Sequence, residues 1–494
     1  MKKIMFSIAA TALLFVSCSK GGGYYDGGSF KGEYMAADMD GDMGEEQPSG
    51  DRFDEIIEND FIETAKEPVS TFSVDADGAA YAYMRRSINA GRLPNRNIVR
   101  IEEYLNYFTF DYPDPADGKK VALNAEASSC PWNAEHKLLR LGIKGKSLQE
   151  QEKPKANFVF LIDISGSMDS SDKLPLLKKG LITMLDSMRP DDRVAIVTYA
   201  SGEKLLLKST PVSEKSAIVA SIKQLAASGA TAGQRGMKMA YEEAEKNFIQ
   251  GGNNRVIMGT DGDFNVGITS TDALLEFVQN YASKGIYLTV CGFGTGNLND
   301  SMMERVSNSG NGTYEYIDSE KELTRVFVHN SSFFISVAND CKTQVTFNPE
   351  AVASYRLLGY ENRVLNNEDF ENDKVDAAEI GSGQTITALY ELVMADGYQG
   401  GTLGKFDFRY KEALGEESIP LGIDLPAVSA ESSENFRFAS ALAAWGLTLR
   451  ESKYKGSASR ALALELANSS LGDDPHGYRR EFVSLLTKAA QLNR

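Results

Sequence analysis

Between residues 154 and 328, short apolar runs alternate with stretches of helical period. The runs are Phe158–Ile162, Arg193–Tyr199, Arg255–Thr260 and Ile286–Phe293. The stretches are Lys173–Met188, Glu214–Leu225, Gln234–Phe248, Thr271–Ala282, Asp300–Ser307 and Ser319–Val326. A run that is apolar at nearly every position suits a strand buried on both faces, and strands linked through helices run parallel. The alternation predicts an α/β fold with a doubly wound, mostly parallel sheet. Leu205–Lys208 is expected as a short antiparallel edge strand. In such sheets, sites lie beyond the carboxyl ends of the strands.

The first run breaks into Asp163-Ile-Ser-Gly-Ser167. One carboxylate and two hydroxyls stand at alternate positions there, and hard oxygen donors suit a small hard cation such as Mg²⁺. Two further pieces fall in similar places. Thr231 lies in Ser228-Gly-Ala-Thr-Ala-Gly233, ahead of a helical stretch, and Asp261 ends the run Arg255-Val-Ile-Met-Gly-Thr-Asp261. In this order the set resembles the metal-ion-dependent adhesion site of the von Willebrand factor A (VWA) domain family. The resemblance implies a dication, Mg²⁺ (or Mn²⁺ or Ca²⁺), held by Asp163, Ser165, Ser167, Thr231 and Asp261. It also implies an open coordination position that a partner's Asp or Glu carboxylate fills. Ala232 departs from the polar residue common after the threonine in that family. Asp169 and Asp172 read as helix N-caps, and Asp263 as a supporting carboxylate in its loop.

Met1-Lys-Lys followed by a short apolar core reads as a secretory signal, too short for a stable membrane span. Leu14-Phe-Val-Ser-Cys18 resembles a bacterial lipobox, with Phe15 in place of the usual leucine. It implies lipidation of Cys18 and a lipid anchor; the alternative is a plain signal with an incidental cysteine. Ser19 after Cys18 is compatible with sorting to the outer membrane of a Gram-negative cell. Residues 19–66 combine Gly21-Gly-Gly with an acidic run and read as a disordered tether. The net charge of −17 and the lack of a basic cluster argue against nucleic acid as a partner. Export permits disulfides. Cys130 and Cys341 flank the α/β region and are candidates to pair, although spacing does not fix connectivity; Cys291 reads as a buried thiol.

The rest of the chain frames the α/β region. Ser70–Val74 reads as a strand, and Ala79–Ala90 and Asn97–Phe108 as helices, within an N-terminal segment 67–115. Arg85, Arg86 and Arg100 are expected to be solvated or paired with Asp75, Asp77 and Glu102. Val121–Ala127 and Leu138–Lys144, within 116–150, alternate like antiparallel strands. The same alternation returns over 335–425, so the expected architecture is a VWA-like domain (154–328) inserted into a β-sandwich. A helical segment, 430–494, follows. Trp132 reads as a core or interdomain plug. Thr71–Asp75, Arg100–Phe108, Tyr355–Arg363, Asp373–Gly381 and Gly472–Pro475 resemble segments of YfbK-like bacterial VWA proteins.

Three functional classes remain open on the sequence. The first is a membrane-anchored, metal-dependent binding module for an envelope protein. The second is an envelope scaffold whose VWA-like fold is structural. The third, a metal-assisted hydrolase, is the weakest. The three histidines, His136, His329 and His476, fall in no triad or zinc spacing.

Overall fold

The computed structural model describes residues 50–74, 77–229, 236–262, 270–372 and 377–492. In the inserted α/β part the strands lie in the spatial order Tyr314–Ile317, Ile286–Phe293, Asn253–Thr260, Ala156–Asp163, Arg193–Tyr199, Glu203–Pro211. All pairings are parallel except the last, where Glu203–Pro211 forms the expected antiparallel edge. The chain enters at Ala156–Asp163, moves outward to Arg193–Tyr199, then crosses back to Asn253–Thr260. The strand order therefore reverses between Ala156–Asp163 and Asn253–Thr260. Both strands are buried along their whole length.

The two strands that precede the insertion, Val121–Ser129 and Lys137–Gly145, join Ile62–Glu63, Val352–Leu358 and Thr385–Met394 in one sheet. A facing sheet is built around Val69–Ser73, Ser336–Phe347, Gly404–Lys411 and Ile419–Leu425. Phe72, Leu139, Leu141, Val345, Tyr390 and Phe406 fill the space between them. This is the expected sandwich with the α/β domain inserted. The N-terminal helix Ala79–Asn89 and the C-terminal helices share a second core with one face of the parallel sheet. Trp132 is buried, and its carbonyl accepts from Ser457.

Several expectations need correction. Residues 50–66 belong to the fold and not to the tether; residues 19–49 lie outside the described residues. Asn59 donates to the carbonyls of Leu357 and Gly359, and Ile62 pairs with Tyr355. Phe53 packs edge-on to Tyr83, and Phe61 to His136 and Tyr454. These apolar anchors follow the end of the acidic run and tie residues 50–66 to the body of the protein. The predicted helix Asn97–Phe108 is split into a short turn, Arg96–Ile98, capped by the Asn95 side chain, and a helix, Ile101–Asn106. Cys130, Cys291 and Cys341 are all free and buried. Cys130 and Cys341 sit in different cores and do not pair.

The N-terminal arginines are also placed otherwise than expected. Arg85 is buried and reaches Asp318 at 2.5 Å and Glu322 at 2.7 Å, with Glu481 at 3.2 Å. Arg100 pairs with Glu103 and with Asp300 at 2.6 Å. Arg86 holds Asp172 at 2.6 Å. These pairs fasten the N-terminal helices onto the α/β domain. Of the expected partners, Asp77 pairs instead with Arg363, and Asp75 lies outside the described residues.

The network also contains Glu315, 2.5 Å from Arg325. Burial raises the Glu315 carboxyl to about 7 despite that guanidinium. A carboxyl raised in the folded state favours folding fully below its unfolded value and loses that advantage as pH rises through about 7. Glu315→Gln is therefore expected to gain on the native chain between pH 4.5 and 8, by on the order of 3 kcal/mol. Urea melts of both chains at the two ends of that window measure the difference.

Just after residue 50 the chain is latched to a loop of the α/β domain. Asp51 Oδ1 accepts from the backbone N–H of Gly296 at 2.6 Å and of Leu298 at 3.2 Å. Its Oδ2 accepts from the Tyr83 hydroxyl. Arg52 N–H donates to the Leu298 carbonyl at 2.8 Å. Among the described residues no helix is long and apolar enough to cross a membrane.

Candidate metal centre

Asp163 and Asp261 stand at the carboxyl ends of the two central strands, where the strand order reverses. Parallel pairing puts Ile162 beside Gly259, so the two aspartates leave the sheet as near neighbours. Both are fully buried, as is Ser165. Asp163 Oδ1 accepts from the Ser165 N–H at 2.8 Å and so folds the loop back over the strand end. That turn brings the Ser165 and Ser167 hydroxyls within 3.0 Å of each other. Ser167 is exposed, so this corner of the site faces the surface.

Thr231 lies outside the described residues, and so do Asp263 and Cys18. The segment that leads to Thr231 is tied to the site. Ser228 N–H donates to the Ile164 carbonyl at 2.7 Å, and Gly166 N–H donates to the Gly229 carbonyl at 2.9 Å. Of the predicted set, Asp163, Ser165, Ser167 and Asp261 therefore share one strand-end region.

Three residues not singled out from the sequence shape this region. Thr260 Oγ1 accepts from Gly262 N–H at 3.2 Å and lies 3.4 Å from Asp163 Oδ2, linking the two aspartate loops. Tyr199 lies beneath them. Burial, then the Asp163 charge, pushes its phenol well above the usual value, so it stays protonated. Lys173 is the third. Its Nζ sits 2.8 Å from Asp261 Oδ2 and 3.0 Å from the Ser167 carbonyl. Lys173 takes the N-cap of its helix, where the positive end of the dipole disfavours a cation, but no residue near it in sequence points to Asp261. Asp172 does not cap that helix as expected. It accepts from Ser170 and pairs with Arg86, and the cap position is Lys173 itself.

Asp261 Oδ1 is buried with no hydrogen-bond partner among the described residues. A buried carboxylate oxygen without a partner is costly and calls for a counter-charge. Two carboxylates and two hydroxyls are a donor set that suits a hard dication. Among the described residues no three His, Cys, Asp or Glu side chains converge to hold a metal. Any ion here would rely on hydroxyl oxygens beside the aspartates.

Comparison with known proteins covers most of the chain, from residue 47 to residue 492. The von Willebrand factor type A domain family matches residues 157–328. A family described as von Willebrand factor matches residues 47–140, and one described as "Uncharacterized protein YfbK, C-terminal" matches 332–403 and 397–492. YfbK of Escherichia coli (strain K12) is 38% identical over 475 residues, covering 90% of this chain and 81% of that protein. The chain belongs to the YfbK family. Inter-alpha-trypsin inhibitor heavy chain H3 of Rattus norvegicus is 30% identical over 199 residues, which is 38% of this YfbK-family chain and 22% of the rat protein. Among solved structures, von Willebrand factor type A from Catenulispora acidiphila has a TM-score of 0.44 at 16% identity and covers 75% of this chain and 90% of its own. In this YfbK-family chain the matched type A region coincides with the inserted α/β domain, and the segments matched on either side supply the sandwich and the helices.

Proposed function

We propose that this YfbK-family protein is a lipid-anchored envelope protein, and that its type A domain binds a partner protein through a divalent cation. The observation that carries the reading is Asp261 Oδ1, without a partner among the described residues, buried beside Asp163 where the strand order reverses and next to the exposed Ser167. Asp163, Ser165, Ser167 and Asp261, with Thr231 from the adjoining loop, would hold the ion, Mg²⁺ or the similar Mn²⁺ or Ca²⁺. The ion would present a positive centre to an Asp or Glu side chain of the partner, and the site acts in binding and not in catalysis. The lipobox-like Leu14–Cys18 supports an anchor at Cys18, and Ser19 after it is compatible with an outer-membrane location. The resemblance to type A domains at the level of these residues supports the ion.

One observation favours a second reading, in which the protein is an envelope scaffold and the type A fold is structural. Lys173 already neutralises one oxygen of Asp261. Calorimetric titration of the native chain with Mg²⁺ and Mn²⁺ separates the two. One site per chain, together with partner capture from envelope extract that EDTA abolishes, is expected. A native chain that takes up no dication, with capture that survives EDTA, establishes the scaffold instead.

A further inference from the structure

We propose that Lys173 is a built-in cation that couples uptake of the dication to capture of a single carboxylate. The proposal rests on the dication reading above and specifies how that site chooses its ligand. Lys173 is held in place. Its side chain is 10% exposed, and Nζ is fixed between Asp261 Oδ2 and the Ser167 carbonyl. The fold accepts two unfavourable features to keep it there. It stands at the N-cap of the helix Leu174–Ser187, the positive end of the dipole. Its stem also crosses Gly294, where φ is +70° and a Cβ would collide with the lysine Cε. A lysine that merely faced solvent would need neither.

The charges explain what such a residue does. Asp163 and Asp261 with Lys173 leave the site with one net negative charge. A dication turns this into one net positive charge, and one carboxylate then makes it neutral. Without the lysine, the two aspartates and a dication would already balance, and a carboxylate would add an uncompensated charge. In a buried region, where charges are weakly screened, one such charge changes affinity by about 100-fold. Lys173 thus weakens binding of the ion alone and strengthens binding of the ion with an anionic ligand. Asp261 can serve both cations because Lys173 takes Oδ2, while Oδ1 has no partner among the described residues. The ligand class follows as a monoanionic carboxylate, in preference to its neutral amide.

Mn²⁺ titration of the full chain, read by the resonance of free Mn²⁺, tests this with acetate as the carboxylate and acetamide as its neutral counterpart. Acetate is expected to tighten Mn²⁺ binding by the native chain at least tenfold, and acetamide not at all. Lys173→Met is expected to bind Mn²⁺ alone at least tenfold more tightly than the native chain and to lose the acetate effect. Lys173→Arg is expected to keep it. Without metal, Lys173→Met is expected to melt lower than the native chain, and Mn²⁺ to close the gap. If Lys173→Met does not fold, Lys173→Gln carries the same comparison, and the acetate effect in the native chain stands as a test by itself. Equal Mn²⁺ affinity in native and variant chains, or a native chain insensitive to acetate, overturns this proposal and leaves the dication reading intact. Failure of both chains to bind Mn²⁺ overturns the two together.

Discussion

Arg85→Met is expected to destabilise the protein by about 3–5 kcal/mol, the loss typical of breaking a buried ion pair from one side. Burial by itself would pull the guanidinium down, but Tyr107, Glu322 and Asp318 hold it well above its usual value. Glu322 keeps a second cation, Arg325 Nε, 2.7 Å away in the native chain, so the Asp318 carboxylate is expected to bear most of the loss. Methionine fills much of the volume and supplies none of the donors. Arg85→Lys should recover little, because one ammonium cannot replace a planar fork that bonds Asp318, Glu322 and Tyr107 together. The loss is a large part of the total stability of an ordinary domain. Urea unfolding of the two chains gives it directly. An Arg85→Met chain within about 1 kcal/mol of native, roughly the scatter of surface ion pairs, would show that the network contributes little.

Asp163→Asn is expected to cut Mn²⁺ affinity at least ~100-fold, or ~3 kcal/mol, while the fold persists. Asparagine keeps an oxygen where Asp163 Oδ1 receives the Ser165 N–H, so the loop can close as before. What it removes is one of the two negative charges. Circular dichroism that matches the native chain, alongside a flat calorimetric titration, is the expected pair of results. Undiminished Mn²⁺ uptake would remove Asp163 from the site.

The parallel sheet was legible because its strands are short, uniformly apolar and separated by helices with clear start signals. Ser270 illustrates the point. Its side chain caps Ala273 N–H, and the helix begins at Thr271 as read from the sequence. Tyr314–Ile317 was missed. It is only four residues long, and its Glu315 is tolerated in a buried edge strand because Arg325 meets it from the following helix. That Asp163, Ser165, Ser167 and Asp261 share one strand-end region was legible because all four lie where apolar runs end in a parallel sheet. Lys173 was not, because its contact with Asp261 spans 88 residues and local spacing carries no trace of it. The arginine partners were hidden for the same reason: Arg85 meets residues more than two hundred positions away.

The latch at Asp51 has a mechanical consequence. Gly262, next to Asp261, lies so close to the Asn297–Asn299 backbone that a Cβ there would stand 2.5 Å from the Asn297 carbonyl. That same stretch is gripped by Asp51 and Arg52. A displacement of Asp51 or Arg52 is therefore passed to the loop that packs on Gly262, one residue from Asp261.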